Sequence, residues 1–344
     1  MSYKRLVRFY LLISLFLAIG LFYANPLPDT SPMPNCWDNL YSTAGEPLSL
    51  YDIYLAGPGK LKTAILFDQI KTANYWDSNG NIDDLGSLFP RIHSPKIYTR
   101  TNMPVSIAYG ISRSLEIEVR RAFVTRSRIV SYLPESLLVK EPYWQRYETT
   151  NGLGDISLRL RTKILGEQDK PFYVALGIGI KFASSAEFDT TYHLPISPGS
   201  TDLFFGIYNA VKLGKFTFPV AVTYSHTGRY LNILPMGEII TYRIGLIIDI
   251  HRFVDLNYSL KGYEITEESK TVAVTEGINM SSGIGDKIPE MFPQGISKTT
   301  AELGLSVKIP KFRTAISGGI ITDLRGRRTY NDDISSIFTM QIGF

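Results

Sequence analysis

The sequence predicts an all-β fold, a transmembrane antiparallel up-and-down β-barrel of twelve strands, and three observations predict it. The chain closes on an alternation: Ile342, Met340, Phe338, Ser336 and Ile334 are apolar or small, while Gly343, Gln341, Thr339 and Ser335 between them are mostly polar, Ile337 being the exception. Successive side chains of a strand point to opposite faces, so this tail has one lipid-compatible face and one wet face, as a membrane-spanning strand requires. The same alternation recurs along the whole chain. The connections between the alternating stretches switch regularly between short and long, the pattern of periplasmic turns and extracellular loops.

Taken in order, a rough alternation over 61–74 opens the series, and 96–110 follows with Ile97, Met103, Val105, Ile107 and Tyr109. Leu115, Ile117 and Val119 then alternate with Glu116, Glu118 and Arg120. Ile156, Leu158, Leu160 and Ile164 alternate with Asp155, Ser157, Arg159, Arg161 and Lys163. Phe172 to Phe182 alternates with Tyr173, Ala175, Gly177, Gly179 and Lys181. The stretches 202–213, 216–228, 238–250, 254–264, 299–309, 312–322 and 334–344 complete the twelve, an even number that returns both termini to the periplasm. Short links fall at Ile111–Ser112, Gly166–Lys170, Gly214–Lys215, His251–Phe253 and Pro310–Lys311. Long ones fall near 75–95, 128–154, 183–201, 229–237, 265–298 and 323–333. A soluble β-sandwich also has many strands and turns, but this strict switching is not a sandwich property.

The ends of the chain agree with that class. Lys4, Arg5 and Arg8 precede an apolar run from Phe9 to Tyr23, too short for a spanning helix, so residues 1–24 read as a secretory signal peptide cleaved after Gly20 or Ala24. Phe344 supplies an aromatic terminus that resembles the assembly signal of outer-membrane proteins, which makes the barrel-assembly machinery an expected partner. Tyr109, Phe172, Phe216, Phe312 and Phe344 fall on the apolar face at periplasmic strand ends, as an aromatic girdle would. Phe182 and Tyr224 lie on the same face near the outer ends. The single cysteine, Cys36, excludes an internal disulfide. A mean hydropathy of +0.00 fits a barrel, whose apolar residues are interleaved with polar ones. A net charge of +4 without a basic cluster among stacking aromatics excludes a case for nucleic acid.

Three short motifs together resemble the outer-membrane barrels related to the meta-pathway phenol-degradation protein. They are Asn151-Gly-Leu-Gly-Asp155 opening a strand, Pro198-Gly-Ser-Thr-Asp202 opening another, and Ala108-Tyr-Gly-Ile111 before Leu115–Val119. The resemblance covers roughly residues 96–230. The chain departs from the family pattern after Phe182, where Ala183-Ser-Ser-Ala-Glu187 replaces a Pro-Thr-Gly-like stretch. The resemblance implies movement of small solutes, aromatic or hydrophobic ones included, across the outer membrane.

If the apolar face meets lipid, the other face lines a lumen. The candidate lining is Arg100, Glu116, Glu118, Arg120, Asp155, Arg159, Arg161, Lys163, Lys181, Asp202, Lys212, Arg243, Asp249, Asp255, Lys261, Glu302, Lys308 and Arg313, with both signs of charge present. One reading is a charged pore wall that sets selectivity; the other is a network of internal ion pairs that stiffens the barrel. About eight strands are filled by their own side chains and roughly 16–18 leave an aqueous channel, so twelve predict a narrow or partly occluded pore. Residues 25–60, rich in proline and without alternation, either hang in the periplasm or fold into the lumen as a plug, ahead of a barrel over 61–344. The expected function is a channel for small solutes. The alternative is a surface or structural barrel whose long loops, 128–154 and 265–298, bind partners. No enzyme is expected: the chain has only four histidines, and Ser225 and His226, adjacent in a strand, face opposite ways. No cofactor or metal is expected either.

Overall fold

In the computed structural model the described residues are 45–76, 80–84, 93–132, 144–167, 170–183, 200–230, 234–235, 238–265, 296–327, 329–332 and 334–343. The signal peptide, Cys36, His193, most of the 265–298 loop and Phe344 lie outside them. Twelve long strands form one closed barrel. They are β1 (Leu61–Trp76), β2 (His93–Gly110), β3 (Leu115–Tyr132), β4 (Trp144–Gly166), β5 (Phe172–Phe182) and β6 (Asp202–Leu213). The second half comprises β7 (Phe216–His226), β8 (Glu238–His251), β9 (Val254–Ile265), β10 (Ile296–Ile309), β11 (Thr314–Arg327) and β12 (Ser335–Ile342).

Closure follows from what lipid cannot supply. Hydrocarbon offers no hydrogen bonds, so an open sheet edge there would leave a row of unsatisfied amides and carbonyls. Each strand pairs antiparallel with its neighbours in sequence, and β1 seals the seam by pairing on both edges. It meets β2 from Leu61↔Tyr109 to Thr72↔Tyr98 and β12 from Thr63↔Ile342 to Gln69↔Ser336. Short strands Ile82–Asp84 and Thr329–Asp332 extend the sheet along β1. This barrel, with short turns on the periplasmic side, places the protein in the bacterial outer membrane.

The alternation read from the sequence is the in–out alternation of the wall. Ile107, Val119, Leu158, Ile178, Ile207 and Leu305 are exposed on the outside, whereas Glu116, Glu118, Arg159, Arg161 and Lys181 are almost fully buried inside. The barrel is therefore inverted relative to a soluble protein, with its largest buried side chains charged or phenolic. On the terminal strand, Gln341, Thr339 and Ser335 are buried and Phe338 and Ile342 exposed.

Several boundaries move. The hairpins β2–β3 and β3–β4 run beyond the expected limits, so residues 128–132 and 144–154, expected in a long loop, belong to strands. The motif Asn151–Asp155 does not open a strand: it lies inside β4, where the pairing slips between Arg121↔Ile156 and Phe123↔Leu153. Two glycines and a register shift look like a strand end in sequence, but they mark a bulge. The strand expected over 312–322 begins only at Thr314, because Pro310–Phe312 makes a turn of 3-10 helix. Arg313 there is left-handed (φ 48°) and exposed, so it caps the turn and does not line the lumen.

Ile178 lies at the middle of β5 with 49% of its surface exposed. Replacing it by lysine should cost about 2–4 kcal/mol, the penalty for a cation at the bilayer midplane. Reversible urea unfolding in phospholipid vesicles checks this; Ile178→Leu should be nearly neutral in the same assay.

Candidate functional site

The residues ahead of β1 carry few strand formers and several turn formers: Gly45-Glu-Pro47, Ser49, Asp52, and Gly57-Pro-Gly59. They coil into successive turns, with the Asp52 amide bonding the Ser49 carbonyl (3.1 Å) and the Asp52 carboxylate accepting from the Leu48 amide (3.0 Å). The coil sits inside the barrel, and we refer to residues 45–60 as the plug. It meets the wall at the periplasmic rim, where Gly59 N–H donates to the Gly110 carbonyl (2.7 Å) and Gly110 N–H to the Lys60 carbonyl (3.0 Å). Gly110 must be glycine here: a Cβ would stand 2.2 Å from the Gly57 carbonyl oxygen. Of the two placements that the sequence left open for residues 25–60, the described part takes the lumen.

Apolar plug residues fit hollows made by small inward side chains. Ile53 and Tyr54 pack with Tyr173, Ala175, Tyr208, Ala210 and Ala221. Leu50 and Tyr51 pack with Ile247 and Ala315, and Leu48 with Ala64 and Leu66. Polar contacts reach the plug from around the wall. Arg120 donates to the Glu46 carbonyl (2.6 Å), Arg159 to that of Gly45 (3.0 Å), and Arg243 to that of Pro47 (2.9 Å). Tyr208 hydroxyl donates to the Gly45 carbonyl (2.7 Å), Ser49 hydroxyl to Gln341 (2.8 Å), and Tyr51 hydroxyl to Asp255 (2.5 Å).

At the centre stands Asp52, fully buried. One carboxylate oxygen lies 3.1 Å from Lys62 Nζ and 3.7 Å from Arg161; the other lies 3.6 Å from both Arg120 and Arg159. Glu116 pairs with Arg161 and with Lys62 (3.5 Å). Glu118 pairs with Arg159 and with Arg120 (3.0 Å). Burial alone would push the Asp52 carboxyl up, but Lys62, Arg161, Arg159 and Arg120 outweigh it and hold it below the usual carboxylate range. Its folded pKa lies below its unfolded one, so it stabilises the seated plug throughout the neutral range. That contribution fades only as pH falls below the ordinary carboxylate range. Glu46 behaves oppositely: loss of water raises its carboxyl despite Lys261, Arg243 and Arg120, with Glu302 adding to the rise.

The predicted lining divides by height and partner. Glu116, Glu118, Arg120, Arg159 and Arg161 form the central cluster. Arg243, Lys261 and Glu302 form a second group, with Lys261 2.8 Å from Glu302 and Arg243 paired to the same carboxylate. Lys181 bridges Asp155 (3.2 Å) and Asp202 (2.5 Å) at the outer end, and Arg100 meets Asp68 (3.6 Å). Lys308 joins Asp249 (3.2 Å) and Asp255 (2.7 Å) near the periplasmic mouth, while Lys163 turns to Glu167 (3.6 Å). Lys212 is partly buried nearby. Sequence reading missed Lys62, Asp68, Tyr208 and the plug residues. The repeated inward alanines Ala64, Ala175, Ala210, Ala221 and Ala315 were the available signal of something seated against the wall. Between plug and wall a cavity of about 50 Å³ touches Leu50, Tyr51, Arg243, Asn257 and Gly318, room for a few waters.

The girdle residues Tyr109, Phe216 and Phe312 are exposed at the periplasmic end and Phe172 is partly so. Ser225 is buried inside and His226 faces outward, as their adjacency requires.

No protein-family model and no curated protein sequence matches the chain. Its fold is similar to that of a solved outer-membrane channel. An outer-membrane channel from Pseudomonas putida F1 superposes with a TM-score of 0.57 at 11% identity, covering 88% of this chain and 100% of that one. The Pseudomonas putida toluene transporter TodX gives 0.45 at 10% identity, covering 87% and 92%. The Ralstonia pickettii toluene transporter TbuX gives 0.41 at 10%, covering 84% and 90%.

Two predictions follow from the buried charges. Arg161→Ala leaves Glu116 buried without its closest cation and should destabilise the protein by about 3–5 kcal/mol in vesicle-based unfolding; Arg161→Met with Glu116→Leu should recover most of that. Because its folded pKa is raised, Glu46 weakens plug seating as pH rises. Glu46→Gln should therefore raise the thermal midpoint at pH 8, with the gain shrinking as pH drops towards the acid range.

Proposed function

We propose that the protein is a gated outer-membrane channel for small solutes, aromatic or hydrophobic ones among them, whose gate is the plug. One observation carries this reading. Residues 45–60 of the same chain occupy the lumen, are held there by hydrogen bonds and ion pairs, and join β1 through Gly57-Pro58-Gly59. A barrel that needed only stiffness could fill its lumen with wall side chains, as smaller barrels do. The nature of the solute rests on the motif resemblance; the similarity to the Pseudomonas putida channel supports the barrel architecture. The chain enters the membrane by a cleavable signal peptide and the barrel-assembly machinery, the latter through Phe344.

A second reading, a surface barrel whose loops bind partners, draws on the same occupied lumen. Single-channel recording of the refolded mature protein separates the two. Wild type should conduct weakly and in rare openings. Tyr51→Phe combined with Ser49→Ala removes two plug contacts without touching the charge cluster and should raise conductance or open probability several-fold. Silence from a variant shown to be folded and inserted would favour the surface-binding reading.

A further inference from the structure

The central cluster contains more than a wall needs for itself. The wall alone contributes four cations, Lys62, Arg120, Arg159 and Arg161, against two carboxylates, Glu116 and Glu118, and all six side chains are at most 5% exposed. The plug supplies what is missing. Asp52 brings the third carboxylate, and the carbonyls of Gly45, Glu46, Asp52 and Tyr54 accept N–H groups of Arg159, Arg120, Arg161 and Lys62. Withdrawing the plug would leave two cations in excess and open several charged donors to water or to another anion. A closed network of wall residues would not have that property.

The surroundings are aromatic. The Tyr208 ring lies 5.3 Å from the Arg159 guanidinium carbon and 5.4 Å from that of Arg161, and its hydroxyl accepts from Arg159 (3.0 Å). Tyr173 packs with it, and Phe204 is buried on the same face of β6. These rings lie along a glycine-lined patch of β5 and β6: a Cβ on Gly179 would stand 2.2 Å from Phe204, and one on Gly206 would stand 2.4 Å from the Tyr208 hydroxyl. Charge-bearing donors and ring faces are thus side by side on one stretch of wall.

We propose that Lys62, Arg120, Arg159 and Arg161 form a carboxylate receptor in the lumen, occupied at rest by Asp52 of the plug and open to small aromatic carboxylates when the plug moves. This rests on the channel reading and narrows it: the solute carries an anionic head that replaces Asp52 and a ring that takes the place of Ile53 and Tyr54 against Tyr173 and Tyr208. Competition between the tethered plug and the solute then links solute binding to opening. The plug holds the advantage of its high local concentration, so a solute must match its head group and add ring contacts.

Chemical rescue tests the receptor. Asp52→Gly in the full chain removes the carboxylate and leaves a hollow of its size, so its thermal midpoint should fall. Acetate should restore more than half of the loss in a saturable way, whereas acetamide and chloride at equal ionic strength should not. Asp52→Asn fills the hollow without charge, and acetate should not rescue it. No recovery of Asp52→Gly, or equal recovery by chloride or acetamide, overturns the receptor. In wild-type channels benzoate should raise open probability several-fold and benzyl alcohol should not, a test that stands even if Asp52→Gly fails to refold; equal effects of the two also overturn the proposal. A protein that conducts but shows neither carboxylate effect keeps the channel reading and loses the receptor; one that is rescued by acetate but never conducts loses the channel.

Discussion

Everything in this molecule follows from turning a sheet inside out. Lipid takes the apolar face of each strand, so the other face, with its arginines, lysines and carboxylates, is enclosed by the wall. Enclosed charges must be paired or wetted. The wall pairs some of them across adjacent strands, as Glu116 with Arg161 and Glu118 with Arg159. The remainder is satisfied by a segment that belongs to no strand. Asp52 is the link between the two parts: it adds a third carboxylate to the four buried cations Lys62, Arg120, Arg159 and Arg161.

Such a plug differs from a hydrophobic core in how it is held. Leu48, Leu50 and Ile53 fill hollows over inward alanines, but the specific part of the contact is polar and directional. Directional contacts with buried partners are strong when complete and costly when broken, so the seated state is well defined and an intermediate one is not. The anchoring of the plug at Gly57–Lys60 leaves its far end, near Gly45, at the level of Phe204 and Thr223 in the outer part of the lumen.

The outer rim is organised independently of this centre. Lys181 ties β5 to Asp155 of β4 and Asp202 of β6, with the Ser200 hydroxyl accepting from the same ammonium (3.1 Å) and Gly228 N–H donating to Asp202 (3.0 Å). This arrangement explains why the Pro198–Asp202 motif stands where a strand begins: its polar residues fasten the chain as it re-enters the wall. The Asn151–Asp155 motif, by contrast, marks an irregularity within a continuous strand.

The barrel, its strand number and the compartment were legible in the sequence alone, and so was the alternation of faces within each strand, though not the turn that takes Arg313 out of the wall. A period of two is written in every strand, and lipid enforces it without reference to distant residues. Leu158 and Arg159 could be assigned to opposite faces from their neighbours alone. Strand ends were less legible, because glycines serve bulges and turns alike and a proline turn such as Pro310–Phe312 shortens a strand without interrupting its pattern. Only the tertiary structure decided the fate of residues 45–60 and the meaning of the inward charges. Asp52, Lys62, Glu116 and Arg161 come from the plug and three strands, and nothing local in any of them marks the others as partners. Closing the sheet brings them together, and their pairing while buried turns a list of lining residues into a site.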